Sequence, residues 1–150
     1  MSLSRKPAVL LSALLFLAPL GLAGAADAPK TEIKGAAILD HPCGKAAVKQ
    51  MGLIHAGKFE EANKLTSPEM QEQWKALSAK DREMMSGMMK EMSKSEADFV
   101  KQVKASGILV IEGNKGTLTI EQKHKDDNGS STEKMTQRYT IDGDKCLISR

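Results

Sequence analysis

At Gly107 the hydrophobic pattern changes its period, and that change constrains the fold more than any single motif. Before it, apolar residues recur at helical intervals; after it they alternate, as one face of a strand requires. The stretches GILVIEG, GTLTIEQKHK, STEKMTQRYTI and DKCLIS read as four strands joined by GNK, DDNGS and DGD. Asn128-Gly129 and Asp142-Gly143 are dipeptides that favour two-residue hairpin turns. Helices first and an antiparallel meander second predict an α+β domain, with N-terminal helices packed on a four-stranded sheet.

Those two turns predict a register. With Asn128-Gly129 as loop, His124 faces Glu133, Gln122 faces Met135, Ile120 faces Gln137 and Leu118 faces Tyr139. With Asp142-Gly143 as loop, Tyr139 faces Cys146 and Gln137 faces Ile148. One face then collects Leu118, Ile120, Gln122, His124, Met135, Gln137, Tyr139, Ile141, Cys146 and Ile148, and it must meet the helices. The other, with Thr117, Thr119, Glu121, Lys123, Thr136, Arg138 and Thr140, is solvated.

The helical half starts after a loose lead-in, Asp27 to Leu39, with a short strand at Ala36–Leu39. Asp40 is a capping type, Pro42 suits a first turn and Gly57 can close the helix between them. Cys43, Ala47, Met51 and Ile54 form its apolar stripe. Phe59, Ala62 and Leu65 mark a short second helix; Ser67 and Pro68 start a third, with Met70, Trp74 and Leu77 on one face. From Ala79 to Lys104 the pattern predicts one long helix, whose stripe of Met85, Met88, Met92, Phe99 and Val103 would lie over the sheet.

The first residues have a different character. Arg5 and Lys6 precede an apolar run from Ala8 to about Leu22, and Ala23-Gly24-Ala25 offers a cleavage site, the layout of a secretory signal peptide. The run is short for a membrane span, which needs about 20 residues. The expected organisation is a signal peptide over 1–25, a lead-in over 26–40 and a single domain over 41–150, with no stable membrane anchor after cleavage. The location follows: secreted, or periplasmic in a Gram-negative bacterium. Loss of Arg5 and Lys6 lowers the formal charge of +3 by two, to +1, and rings are few, so nucleic-acid binding is not expected. Two cysteines, Cys43 and Cys146, remain in a chain bound for an oxidising compartment, which favours a disulfide. Cys43 sits on the helical stripe and Cys146 on the inward sheet face, so the two converge. The alternatives are free thiols, or Cys43 with His41 as a weak metal pair.

The step Gly57, Lys58, Phe59, Glu60, Ala62 and the final hairpin Asp142, Gly143, Lys145, Cys146, Ile148 resemble features of small exported domains in the nuclear-transport-factor-2-like (cystatin-like) superfamily. The resemblance spans Ala46 to Ser149, and Cys146 stands where that pattern has tryptophan. It implies a curved sheet wrapped round helices, a cone-shaped pocket, and association into a homodimer through the sheet. Members range from isomerases and cyclases to binding modules, so the resemblance does not choose a function.

For an isomerase or cyclase the pocket would need a carboxylate base, and the inward positions Gln122, His124, Gln137 and Tyr139 supply none. His124 and Glu133 read more simply as a cross-strand pair at the hairpin tip than as an acid/base dyad. The reading that follows is a non-enzymatic binding module for a small apolar ligand or a protein partner, without a cofactor. Its expected pocket is lined by Met85, Met88, Met92, Leu118, Ile120, Gln122, Gln137 and Tyr139. The alternative use of the methionines is metal binding. Met84, Met85, Met88, Met89 and Met92 form i,i+4 thioether pairs suited to Cu(I) or Ag(I).

Overall fold

The alternating half of the chain closes into an antiparallel meander. The computed structural model describes residues 28–126 and 129–150, so the signal-peptide segment and the Asp127-Asn128 positions lie outside the described residues. The strands are β1 (Lys30–Lys34), β2 (Gly107–Glu112), β3 (Lys115–Asp126), β4 (Gly129–Asp142) and β5 (Lys145–Ser149), in the order β1-β2-β3-β4-β5. The architecture is α+β, with a five-stranded sheet where four strands were expected.

The extra strand comes from the lead-in. Lys-Thr-Glu-Ile-Lys alternates, and it sets Ile33 opposite Leu109. Gly35, at φ 57°, ends the strand in a conformation that favours glycine, and a 3-10 turn (Gly35–Asp40) follows in place of the expected strand at Ala36–Leu39. That turn carries Ile38 into the core with no exposed surface.

The hairpin registers differ from expectation by one loop position. Asp126 pairs with Gly129, and Asp142 with Lys145. The last loop is therefore Gly143-Asp144 rather than Asp142-Gly143. Gly143 has φ 57° at the first loop position, as Gly113 has φ 59° in the loop before β3, and no other residue type has positive φ among the described residues. A glycine followed by an ordinary residue is the requirement of a type II′ hairpin turn. Leu118 thus lies opposite Gln137, Tyr139 opposite Ile148, Gln122 opposite Glu133 and His124 opposite Ser131. Each partner moves by two positions, so no side chain changes face. Leu118, Ile120, Tyr139, Cys146 and Ile148 are all buried, as the alternation predicts.

Five helices precede and follow one another between β1 and β2: α1 (Pro42–His55), α2 (Phe59–Asn63), α3 (Pro68–Ala76), α4 (Ala79–Met92) and α5 (Glu96–Ser106). The cap of α1 is His41, not Asp40, which closes the 3-10 turn instead; His41 Nδ1 accepts the Cys43 N–H at 3.2 Å. Burial holds the imidazole below its ordinary pKa, which favours the neutral ring, and the Cys43 N–H selects the tautomer with Nδ1 as acceptor. The expected single helix over 79–104 is two helices, broken at Ser93–Ser95. Ser95 Oγ accepts the Asp98 N–H (3.2 Å) and donates to Asp98 Oδ2 (2.8 Å), a reciprocal cap that starts α5 afresh. Ser78 and Asp81 start α4 in the same way, at 3.1 and 2.6 Å.

This break decides what covers the sheet. Phe99 and Val103 of α5, with Cys43 and Ala47 of α1, pack on Leu109, Leu118, Ile120, Tyr139 and Ile148. No residue of α4 is buried, so its methionines are not the lid that the stripe predicted. Cys43 and Cys146 form a disulfide, Cα to Cα 4.9 Å, which ties α1 to β5. The connector between α2 and α3 also meets β5: Ser67 N–H donates to the Ile148 carbonyl (2.7 Å) and Ile148 N–H to the Leu65 carbonyl (2.9 Å). Among the described residues no helix is long and apolar enough to cross a membrane.

One contact in this core admits no side chain at all. A Cβ added to Gly44 would fall 1.8 Å from the carbonyl oxygen of Ile38. Backbone cannot yield as a flexible side chain can, so Gly44→Ala is expected to destabilise the fold by about 3 kcal/mol. Urea unfolding of the variant checks this.

Candidate functional site

Three apolar stripes meet outside the sheet without filling the space between them. On α1, Gln50 and Ile54 stand one turn apart; from α3 come Met70, Gln73 and Trp74, with Leu77 just past its end. On α4, Met85 and Met89 are again one turn apart, and Phe59 and Ala62 of α2 close one side. The result is a cleft of about 300 Å³, with Asn63, Thr66 and Arg150 completing its lining. It is at the small end of ligand sites, which span roughly 300–1,000 Å³. Three wider grooves, of about 640, 690 and 880 Å³, also mark the surface, the second of them sharing Met70 and Arg150 with the cleft. Among the described residues, none of the three is lined by a residue with a buried side-chain polar atom left without a partner.

Gln73, which lines the cleft, carries one. Gln73 Nε2 donates to Glu69 Oε1 at 3.3 Å, outside the cleft. A carboxylate only accepts, so this bond fixes the amide with its oxygen at the other end. Gln73 Oε1 is buried and has no hydrogen-bond partner, the one such side-chain atom among the described residues. Buried polar atoms are rarely left unpaired, and each exception needs a reason. The neighbouring polar groups are satisfied. Trp74 Nε1 donates to Glu60 Oε1 (3.1 Å), Thr66 Oγ1 to the Asn63 carbonyl (2.7 Å), and Gln71 Nε2 to the Thr66 carbonyl (2.9 Å).

A hydrogen-bonded chain reaches the cleft from the core. Tyr139 O–H donates to Gln137 Oε1 (3.0 Å), and Gln137 Nε2 donates to Gln50 Oε1 (2.7 Å). Burial of Tyr139 raises its pKa well above the usual phenol value, so the hydroxyl keeps its proton. The direction of the chain is thereby set, and Gln50 is left with its Nε2 donor.

The residues expected to line one pocket are dispersed. Met85 lines the cleft, but Met88 and Met92 are 57% and 79% exposed on the outer side of α4, with Met84 at 59%. Leu118 and Ile120 are packed in the core. Gln122 lies at the far end of α5, accepting from Lys94 Nζ (2.9 Å) and donating to Gln102 Oε1 (3.4 Å). Gln137 and Tyr139 serve the cleft through Gln50 rather than lining it. The methionines do divide, but Met85 and Met89 line the cleft, Met85 still 38% exposed at its mouth, while Met84, Met88 and Met92 stand on the outer side. The expected division, with Met85, Met88 and Met92 inward, extended one period through Ser93–Ser95, where the helix is broken. Disulfide formation removes Cys43 as a metal ligand, so the His41–Cys43 pair is not a site. His124 and Glu133 are not directly opposed. No group of three or more His, Cys, Asp or Glu side chains could hold a metal ion among the described residues.

Sequence reasoning placed Met70, Trp74 and Leu77 on one apolar face without reading a cleft there. The signal for a cleft was their company. Gln73 falls inside the stripe, where a helix facing a filled core would carry an apolar residue. Compared with protein-family models, with curated proteins and with solved structures, the chain matches none.

Proposed function

We propose that this chain is an exported, non-enzymatic binding module that takes a small apolar ligand in the cleft between α1, α2, α3 and α4. The observation that carries this reading is an apolar cleft of about 300 Å³ that the helix faces leave unfilled, lined by Trp74, Phe59 and Met85. Export is supported by the signal-peptide layout of residues 1–25 and by the Cys43–Cys146 disulfide, a bond that persists in oxidising compartments. The lining offers amides, a hydroxyl and an arginine, with no carboxylate or imidazole for proton transfer, which favours binding over catalysis. The resemblance to nuclear-transport-factor-2-like domains agrees with helices followed by an antiparallel sheet. Within that resemblance, the ligand space lies among the helices, because α5 fills the inward sheet face.

The chain carries one tryptophan, Trp74, and it lines the cleft, so its emission reports on this site alone. Titration with butylbenzene is expected to change Trp74 emission saturably, with an affinity between millimolar and micromolar, about −4 to −8 kcal/mol. Met85→Phe, which fills the cleft, is expected to abolish the change while circular dichroism stays constant. Unchanged Trp74 emission up to the solubility limit would sink the cleft as a binding site.

A further inference from the structure

The outer side of α4 presents sulfur to solvent. Met84, Met85, Met88 and Met92 are 59%, 38%, 57% and 79% exposed, and they are the exposed large hydrophobic side chains among the described residues. Their spacing repeats one motif. Met84, Met85 and Met88 stand at i, i+1 and i+4 of α4, and Met88, Met89 and Met92 repeat the pattern one turn later. Residues three and four apart on a helix have Cβ atoms about 5–6 Å apart, and long side chains lean toward the helix N-terminus. Met88 therefore leans over Met84 and Met85, close enough for three flexible thioether arms to close on one ion. The second set is less free, because Met89 is half-buried along the cleft. Both sets use Met88, so they hold one ion between them.

We propose that Met84, Met85 and Met88 bind one soft monovalent cation, Cu(I), for which Ag(I) serves as an air-stable stand-in. Thioether sulfur is neutral, soft and polarizable, and it suits Cu(I). Magnesium and calcium take oxygen ligands, and zinc takes thiolate, imidazole or carboxylate, none of which the triad supplies. Among the described residues, no group of three or more His, Cys, Asp or Glu side chains competes for a metal. Both cysteines are closed in the Cys43–Cys146 disulfide. In an oxidising compartment the chain thus keeps thioethers as its soft ligands, and these cannot be lost to disulfide formation. The helix that carries them is fixed at its start by the reciprocal cap of Ser78 and Asp81. The site is separate from the apolar cleft, although Met85 borders both.

The test uses the oxidised, disulfide-bonded protein with carbon-13 in its methionine methyl groups. On titration with Ag(I), the methyl resonances of Met84, Met85 and Met88 are expected to shift together and saturate at one equivalent. Those of Met51 and Met135, packed against the core cluster, should stay in place. In competition with bathocuproine disulfonate under ascorbate, the unmodified protein is expected to retain Cu(I). Met84→Leu and Met88→Leu should each bind it at least about tenfold more weakly, a loss of about 1.4 kcal/mol or more. Met92→Leu, outside the triad, should bind it as the unmodified protein does. Leucine keeps the apolar surface and the helix and removes only the sulfur, so circular dichroism should not change. Equal Cu(I) binding by Met88→Leu and the unmodified protein would overturn the proposal and leave this side of α4 as an apolar contact surface. Loss of binding in Met92→Leu but not in Met84→Leu would overturn the assignment of the triad. Neither result bears on the cleft, which Trp74 emission tests separately.

Discussion

Replacing Cys43 and Cys146 together by alanine is expected to lower the free energy of unfolding by about 4 kcal/mol. The two residues are 103 apart in sequence, so their bond holds almost the whole described domain in one closed loop. In the chain-entropy description a loop of about 100 residues is worth roughly 4–5 kcal/mol through restriction of the unfolded chain, with measured values often lower. Both side chains are also buried in the core cluster, so alanine leaves two small voids in addition. Domains of this size are stable by about 5–15 kcal/mol, which means the loss would bring the fold near its limit. Urea unfolding of oxidised protein and of the double variant measures the difference. A change of less than about 1 kcal/mol would mean that the helices hold to the sheet without the bond.

The second large effect separates two helices that the sequence pattern runs together. Phe99→Ala is expected to cost about 3–5 kcal/mol, because Phe99 of α5 has no exposed surface and packs between α1 and the sheet. Met88→Ala is expected to change stability by less than about 0.5 kcal/mol, because Met88 is 57% exposed on the outer side of α4. Chemical denaturation of both variants tests which helix covers the sheet. Comparable losses would return the methionines to the core and remove the basis for the cleft.

The sheet and the disulfide were legible in the sequence for a robust reason. Turn arithmetic misplaced each loop by one residue, yet it moved partners by two, and faces depend only on parity. Leu118, Tyr139, Cys146 and Ile148 therefore land on the buried face under either register. β1 was less legible, because Ile33 is its only strongly apolar residue. The break between α4 and α5 was hidden by spacing: Met92 and Phe99 are seven residues apart, two helical turns, so the stripe runs through the break undisturbed. The local signals were present in Ser78…Asp81 and Ser95…Asp98, each a reciprocal cap. The cleft was beyond periodicity altogether. Ile54, Met70 and Met85 carry the same pattern whether they meet neighbours closely or leave a gap, and a gap is a property of three helices together.

The pairing of the α2–α3 connector with β5 has a consequence for assembly. Ser67 N–H and the Leu65 carbonyl occupy Ile148's outward backbone groups, and Thr66 itself bridges to Ile148. At the opposite limit of the sheet, β1 begins and ends with lysine. The β5 edge is thereby closed to strand addition at Ile148, and lysines flank the β1 edge. The arm of the long β3–β4 hairpin is different: β5 pairs only with Arg138–Asp142, so the outer edge of β4 over 129–137 runs on past it without a strand partner. The few hydrogen bonds of a short connector thus steer any strand addition between copies away from the packed end of the sheet and onto the hairpin arm.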